Sequence, residues 1–176
     1  MGGRWKLSAA DERTWRRSEA IVAIRVPRSP GLATQAVAIA EALAAEDRSR
    51  VEAASQRLVD LLCAALEVPT LRLEVRGIRP SNSYGELHGL YTPATSRHSR
   101  DRVQVWMRTA RRQQVVAFKT FLRTVLHELC HHLDYELLRL PRSFHTTGFY
   151  KRESTLVHAA LAGRGSGSPS AAGRGG

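Results

Sequence analysis

The chain has 176 residues and a formal net charge of +11, with 43% hydrophobic and 24% charged residues. That length and composition fit one globular domain and exclude a second large one. No apolar run comes near the roughly 20 residues that cross a bilayer, and Met1 to Trp15 carries charges where a secretory signal needs an apolar stretch, so neither a membrane span nor a signal is predicted.

Arginine supplies 24 of the 27 basic residues. This charge raises polyanions, DNA among them, as partners, although an Arg- and Ala-rich composition also arises from genome base composition alone. Cys63 and Cys130 lie far apart in helical segments, which predicts free thiols and a reducing compartment, the cytoplasm by default.

Residues 1–30 mix charges with Trp5 and Trp15 and reach Pro27 and Pro30, so they read as an N-terminal arm or a short helix. From Leu32 to Leu66 strong helix formers dominate, with Val51, Leu58, Leu61, Leu62 and Leu66 at helical spacing, which predicts one long helix or two joined near Asp47 and Ser49. The period then becomes two. Leu71, Leu73 and Val75 alternate with Arg72, Glu74 and Arg76, Gly85 to Tyr91 reads as a second strand, and Val103, Val105 and Met107 alternate with Arg102, Gln104 and Arg108. A small curved sheet, mostly antiparallel, is expected. Gln113 to about Arg139 returns to the helical period, with Phe118, Leu122, Val125, Leu129, Leu133 and Leu137 in one stripe and Pro141 as the stop. Thr147 to Leu161 gives a closing amphipathic helix. Residues 163–176 are Gly, Ser, Ala, Pro and Arg, a composition too poor in apolar side chains to offset chain entropy, and read as a disordered tail. The domain proper is thus residues 31–162, of the α+β class.

The sequence His127-Glu128-Leu129-Cys130-His131 is an HExxH motif inside the most strongly periodic helix. Residues four apart on a helix differ by about 40° around the axis and about 6 Å along it, so His127 and His131 project together and can hold one Zn²⁺. Glu128 lies about 100° from His127, placed to lean over an open metal position and carry a proton as general base and acid. With seven His in the chain, a chance match is expected only about 0.02 times per sequence of this composition.

A third ligand must come from beyond the helix. His145 is the preferred choice, because the chain turns at Pro141 and has length enough to return to the metal; Glu153 on the following helix is the rival. Asp134 shares the ligand face but lies too far along the axis to ligate, so it is expected to orient a histidine. His132 should face solvent or stand beside a ligand, and Cys130 should pack as a small side chain. Tyr135, Tyr150 and Arg152 are candidate donors to a developing oxyanion. No spacing recruits His88, His98 or His158.

The pattern His127-Glu128-x-x-His131 followed by His145-Thr146-Thr147-Gly148-Phe149 resembles the SprT-like and Spartan group of zinc metallopeptidases, where a third His follows HExxH and an aromatic residue stands four positions later. The likeness covers Leu71 to about Leu161. It implies a zincin-like fold, with a small sheet packed on the active-site helix, one Zn²⁺ on His127, His131 and His145, and hydrolysis of peptide bonds in proteins associated with DNA. Thr146 stands where the group commonly has Gly, and no zinc-ribbon cysteines follow the core. In zincin folds the strand before the helix rims the cleft, so Val103 to Arg108 is expected to receive an extended peptide, with Trp106 lining it or packing within the sheet. Arg97, Arg100, Arg102, Arg108, Arg111 and Arg112 cluster just before the helix as candidate nucleic-acid contacts. The alternative reading is a polyanion-binding module whose zinc is structural and which hydrolyses nothing.

Overall fold

The computed structural model describes residues 7–83, 85–96 and 99–162. Helix α1 (Ala9–Ala20) starts where the Ser8 hydroxyl accepts the Asp11 N–H, and Asp11 and Glu12 complement the positive end of its dipole. Two helices, α2 (Pro30–Ala44) and α3 (Arg48–Ala65), replace the single long one that the sequence also allowed. The break falls where Asp47 caps α3 by accepting the Arg50 N–H at 3.0 Å, and where Glu46 turns into the left-handed region at φ 55°.

Strand β1 (Arg72–Ile78), the hairpin pieces β2 (Ser81–Asn82) and β3 (Gly85–Glu86), and strands β4 (Gly89–Thr92) and β5 (Arg102–Arg108) follow. The segment expected as one strand from Gly85 to Tyr91 is therefore two short pieces. The main sheet runs β1-β5-β4, with β1 and β5 parallel and β4 antiparallel to β5. It is mixed, which corrects the mostly antiparallel expectation: the hairpin and β4 between β1 and β5 form a crossover long enough for parallel pairing. Val103, Val105 and Met107 enter the core from one face of β5, as alternation requires.

The two outer edges of this sheet differ. Along β1, side chains of α3 occupy the free backbone groups: Gln56 accepts from Leu73 N–H and donates to Leu71 C=O, Glu52 accepts from Val75 N–H, and Arg48 donates to Val75 C=O. That edge is closed to another strand. The β4 edge lies instead beside α4.

Helix α4 (Phe118–Glu136) buries Phe121, Leu122, Val125, Leu126, Leu129, Cys130 and Leu133 against the sheet and α2. It begins five residues later than the sequence suggested, because Val115 bridges to Arg108 and keeps the preceding segment extended. Helix α5 (Thr147–Leu161) starts at the Thr146 cap, which accepts the Phe149 N–H at 3.0 Å.

The N-terminal segment is an integral part of this unit. The end of α1 docks on the start of α5 so closely that a Cβ on Gly148 would lie 2.6 Å from the Glu19 carbonyl oxygen. Buried Arg152 donates to the carbonyl oxygens of Ser18 at 2.7 Å and Ile21 at 2.5 Å, and Ile24 belongs to the core. The tail expected to be disordered lies outside the described residues. Among the described residues no helix is long and apolar enough to cross a membrane.

Candidate metal centre

Helix α4 presents His127 and His131 one turn apart, and the loop after it brings His145 to them. Nε2 of His145 stands 3.1 Å from Nε2 of His127 and 3.0 Å from Nε2 of His131, and one ligand atom from each lies within 4.8 Å of the others. The Phe149 ring is fully buried beneath all three imidazoles, with centroid distances of 5.0, 4.8 and 5.1 Å to His127, His131 and His145.

The outward-facing nitrogens settle which way the inner ones point. Nδ1 of His127 lies 2.9 Å from the Glu153 carboxylate, which Arg123 also engages, so this nitrogen carries the proton. Nδ1 of His131 lies 2.7 Å from Ser143 Oγ, and that hydroxyl lies 2.7 Å from Asp134 Oδ2. The fully buried Arg152 guanidinium pairs with Asp134 at 2.9 Å and needs a counter-charge, which favours the carboxylate form. Burial is the largest influence and raises this carboxyl above its ordinary value, with Ser143 and Arg152 opposing the rise. The Ser143 hydroxyl therefore donates to Asp134 and accepts from His131. Both helix histidines carry their proton on Nδ1 and aim Nε2 lone pairs at His145.

A cation among these nitrogens would take up lone pairs that face the same point. Tetrahedral coordination at Zn–N distances near 2.05 Å separates ligand nitrogens by about 3.3 Å, close to the two separations from His145. Burial, and then the neighbouring His127 and His145, push His131 down to about 3, and burial and His127 push His145 below its ordinary value. Neutral imidazole is the ligating form. His127, His131 and His145 form a group that can bind a metal ion.

Glu128 is buried, with 7% of its surface exposed, on the wall of the same cleft. Burial raises its carboxyl above the ordinary range, while His127 and the Tyr91 N–H act in the opposite sense. It fits under β4 because residue 89 is glycine: a Cβ there would lie 2.7 Å from Glu128 Cγ. The cleft has a volume of about 910 Å³ and is walled by α4, β4, the loop through Leu87 and His88, and the start of α5.

Other expectations fare differently. Glu153 is the outer partner of His127, with the triad completed by His145. Asp134 acts on His131 through Ser143, a residue that no sequence signal singled out. Tyr135 and Tyr150 both line the cleft, Tyr150 stacked 5.9 Å from His145 and Tyr135 stacked 5.8 Å from Tyr91. Arg152 cannot serve an oxyanion, because its side chain has no exposed surface and is held by Asp134, Ser18 and Ile21. His132 is not solvent-facing: it is buried between Asp101 at 2.8 Å and the Pro69 carbonyl at 2.7 Å. Cys130 packs in the core, where burial raises its thiol pKa, and Cys63 is likewise free and buried, its thiol raised to about 11. His88 stands exposed on the cleft wall, although no spacing recruited it.

The strand expectation is overturned. β5 is the central strand, hydrogen-bonded on both sides, so Val103 to Arg108 has no edge to offer a peptide. Trp106 is buried and does not line the cleft. The arginine cluster also separates: Arg100 and Arg102 stand at one end of β5 and Arg108, Arg111 and Arg112 at or beyond the other, roughly 20 Å away for six strand steps. Arg108 is committed to Glu46 and the Gln113 carbonyl, and Arg97 lies outside the described residues. No family model, curated protein or solved structure matches the chain.

Proposed function

We propose that this protein is a zinc-dependent metallopeptidase of zincin type, in line with its resemblance to the SprT-like group. The observation that carries this is the His127–His131–His145 triad, with outer nitrogens tied to Glu153 and Ser143, opening on a cleft beside Glu128. The three Nε2 atoms would hold zinc, which supplies Lewis acidity, lowering the pKa of a water and polarising a carbonyl. Glu128, raised by burial, takes up a proton from the attacking water and returns it to the leaving amine. Tyr135 and Tyr150 stand in the cleft as donors to oxygen.

The cleft-side strand β4 supports a polypeptide substrate. Its partner β5 uses one edge, and an extended peptide laid along the other would run past Glu128 and the triad. A structural zinc in a polyanion-binding module calls for a fourth protein ligand, and among the described residues the group comprises three. Contact with DNA, included in the proposal, falls to the arginines outside the cleft at the two ends of β5.

Glu128→Gln should retain one zinc per chain and lose peptide hydrolysis, whereas His127→Ala should lose both. Metal analysis beside a cleavage assay reads the two. Retained hydrolysis in Glu128→Gln, or tight zinc binding by His127→Ala, would refute the assignment.

A further inference from the structure

The molecule is strongly basic, yet the cleft is not. Among the described residues that line it, the carboxylates are Glu86, Glu128 and Glu153, and Arg123 is the sole guanidinium. Glu153 is neutralised by Arg123, and Glu86 is paired at 3.4 Å with Arg79. No cationic side chain of the cleft is left unpaired to hold a phosphate backbone or an acidic segment, so the metal would be its one uncompensated positive charge. The mouth carries large apolar side chains instead: Leu87, Leu90 and Tyr150 line it with 40%, 41% and 49% of their surfaces exposed.

Leu90 sits in β4 opposite Gln104, on the face away from the core, while Tyr91 turns inward to pack on His131, His132 and Tyr135. A strand added at the outer edge of β4, where Glu128 engages the Tyr91 N–H, would place every second side chain beside Leu90 and the intervening ones toward the triad. A side chain on the Leu90 side also meets Leu87 as the chain leaves β3. Burying it removes apolar surface from water on both partners; a charged side chain there would be desolvated without a counter-charge.

Resting on the peptidase reading, we infer that the cleft selects extended, uncharged polypeptide carrying a large apolar side chain next to the scissile bond, with Leu87 and Leu90 as the specificity-determining contacts. The cleft walls offer a polyanion no free cationic side chain, and its contacts fall to the arginines elsewhere.

The test uses fluorescent ten-residue peptides identical except for one central Leu, Ala or Asp. Binding to the full zinc-loaded Glu128→Gln protein is measured by anisotropy, and cleavage by the wild-type protein is measured in parallel. The Leu peptide should bind at least about tenfold more tightly than the Ala peptide, as expected for a lost apolar contact, and the Asp peptide more weakly still. In the Leu87→Ala, Leu90→Ala double variant the Leu-to-Ala ratio should fall to about threefold or less. Both residues are partly exposed, so their truncation leaves the core intact. Equal affinities, no measurable binding, or an unchanged ratio in the double variant would overturn the inference. Selective binding without wild-type cleavage would instead defeat the hydrolytic reading and leave the selectivity standing.

Discussion

Glu128 and its neighbours show how narrowly one side chain is placed. The absence of a Cβ at Gly89 is what lets the carboxylate lie under β4, so Gly89→Ala should push it aside while the ligand histidines stay in place. Zinc content should remain at one per chain, and kcat/KM should fall about 100-fold, the scale of an ångström-sized misplacement. Unchanged turnover would mean that Glu128 acts from another position. On the far side of the metal group, Ser143→Ala removes the acceptor for His131 Nδ1 and strands Asp134 without its hydroxyl donor. Zinc affinity should drop about 10- to 100-fold, and Glu153→Gln should give a comparable loss through His127. A competition titration against a chelator measures both. His145→Ala should cost far more than either, since it removes a ligand and not a support.

Elements carry their own strain and their own readability. Glu67 ends α3 at φ 55°, a left-handed conformation that costs an L-residue about 1 kcal/mol and glycine almost nothing. Glu67→Gly should therefore stabilise the fold by about 0.5–1 kcal/mol in a denaturant titration. A destabilised variant would show that the Glu67 side chain contributes more than its backbone costs. Glu46 adopts the same φ but also pairs with Arg108, so glycine there gives up an ion pair. Helix α4, its apolar stripe and the two histidines on its other face were readable in the sequence because each depends on spacing within five turns. So was α5, whose Thr146 cap and amphipathic period are local. The rank of β5 in the sheet was not readable, since it depends on pairing with β1, 30 residues earlier in register, on one side and with β4, 10 to 16 residues earlier, on the other. Arg152 misled for a related reason: nothing near it in the chain announces that Ser18, Ile21 and Asp134 will enclose it. Ser143 gave no signal because a lone serine in a loop is ordinary until His131 and Asp134 are both beside it.

At the scale of the whole molecule, charge is divided between surfaces. The two arginine groups at opposite ends of β5 are too far apart to act on one phosphate, and Arg111 and Arg112 are the exposed pair at one end. Charge reversal at those two should reduce the log–log salt slope of DNA binding by about one to two units, at 0.7 to 0.9 per phosphate contact. Zinc content should not change. A slope no more affected than by reversal at Arg50, on the distant α3, would withdraw DNA as a partner and leave the cleft chemistry untouched. The docking of α1 on α5 bears on a further matter, what a shortened chain can keep. Arg152 reaches back 134 positions to Ser18, and the same guanidinium balances the Asp134 that steadies His131. A chain ending at Tyr150 would hold all three histidines yet lack the Arg152 cation paired with Asp134 and most of the helix on which α1 docks. On the proposed metal reading, a protein truncated after Tyr150 should therefore bind zinc more weakly than the full chain although it retains all three histidines, which a chelator competition on the two proteins would check.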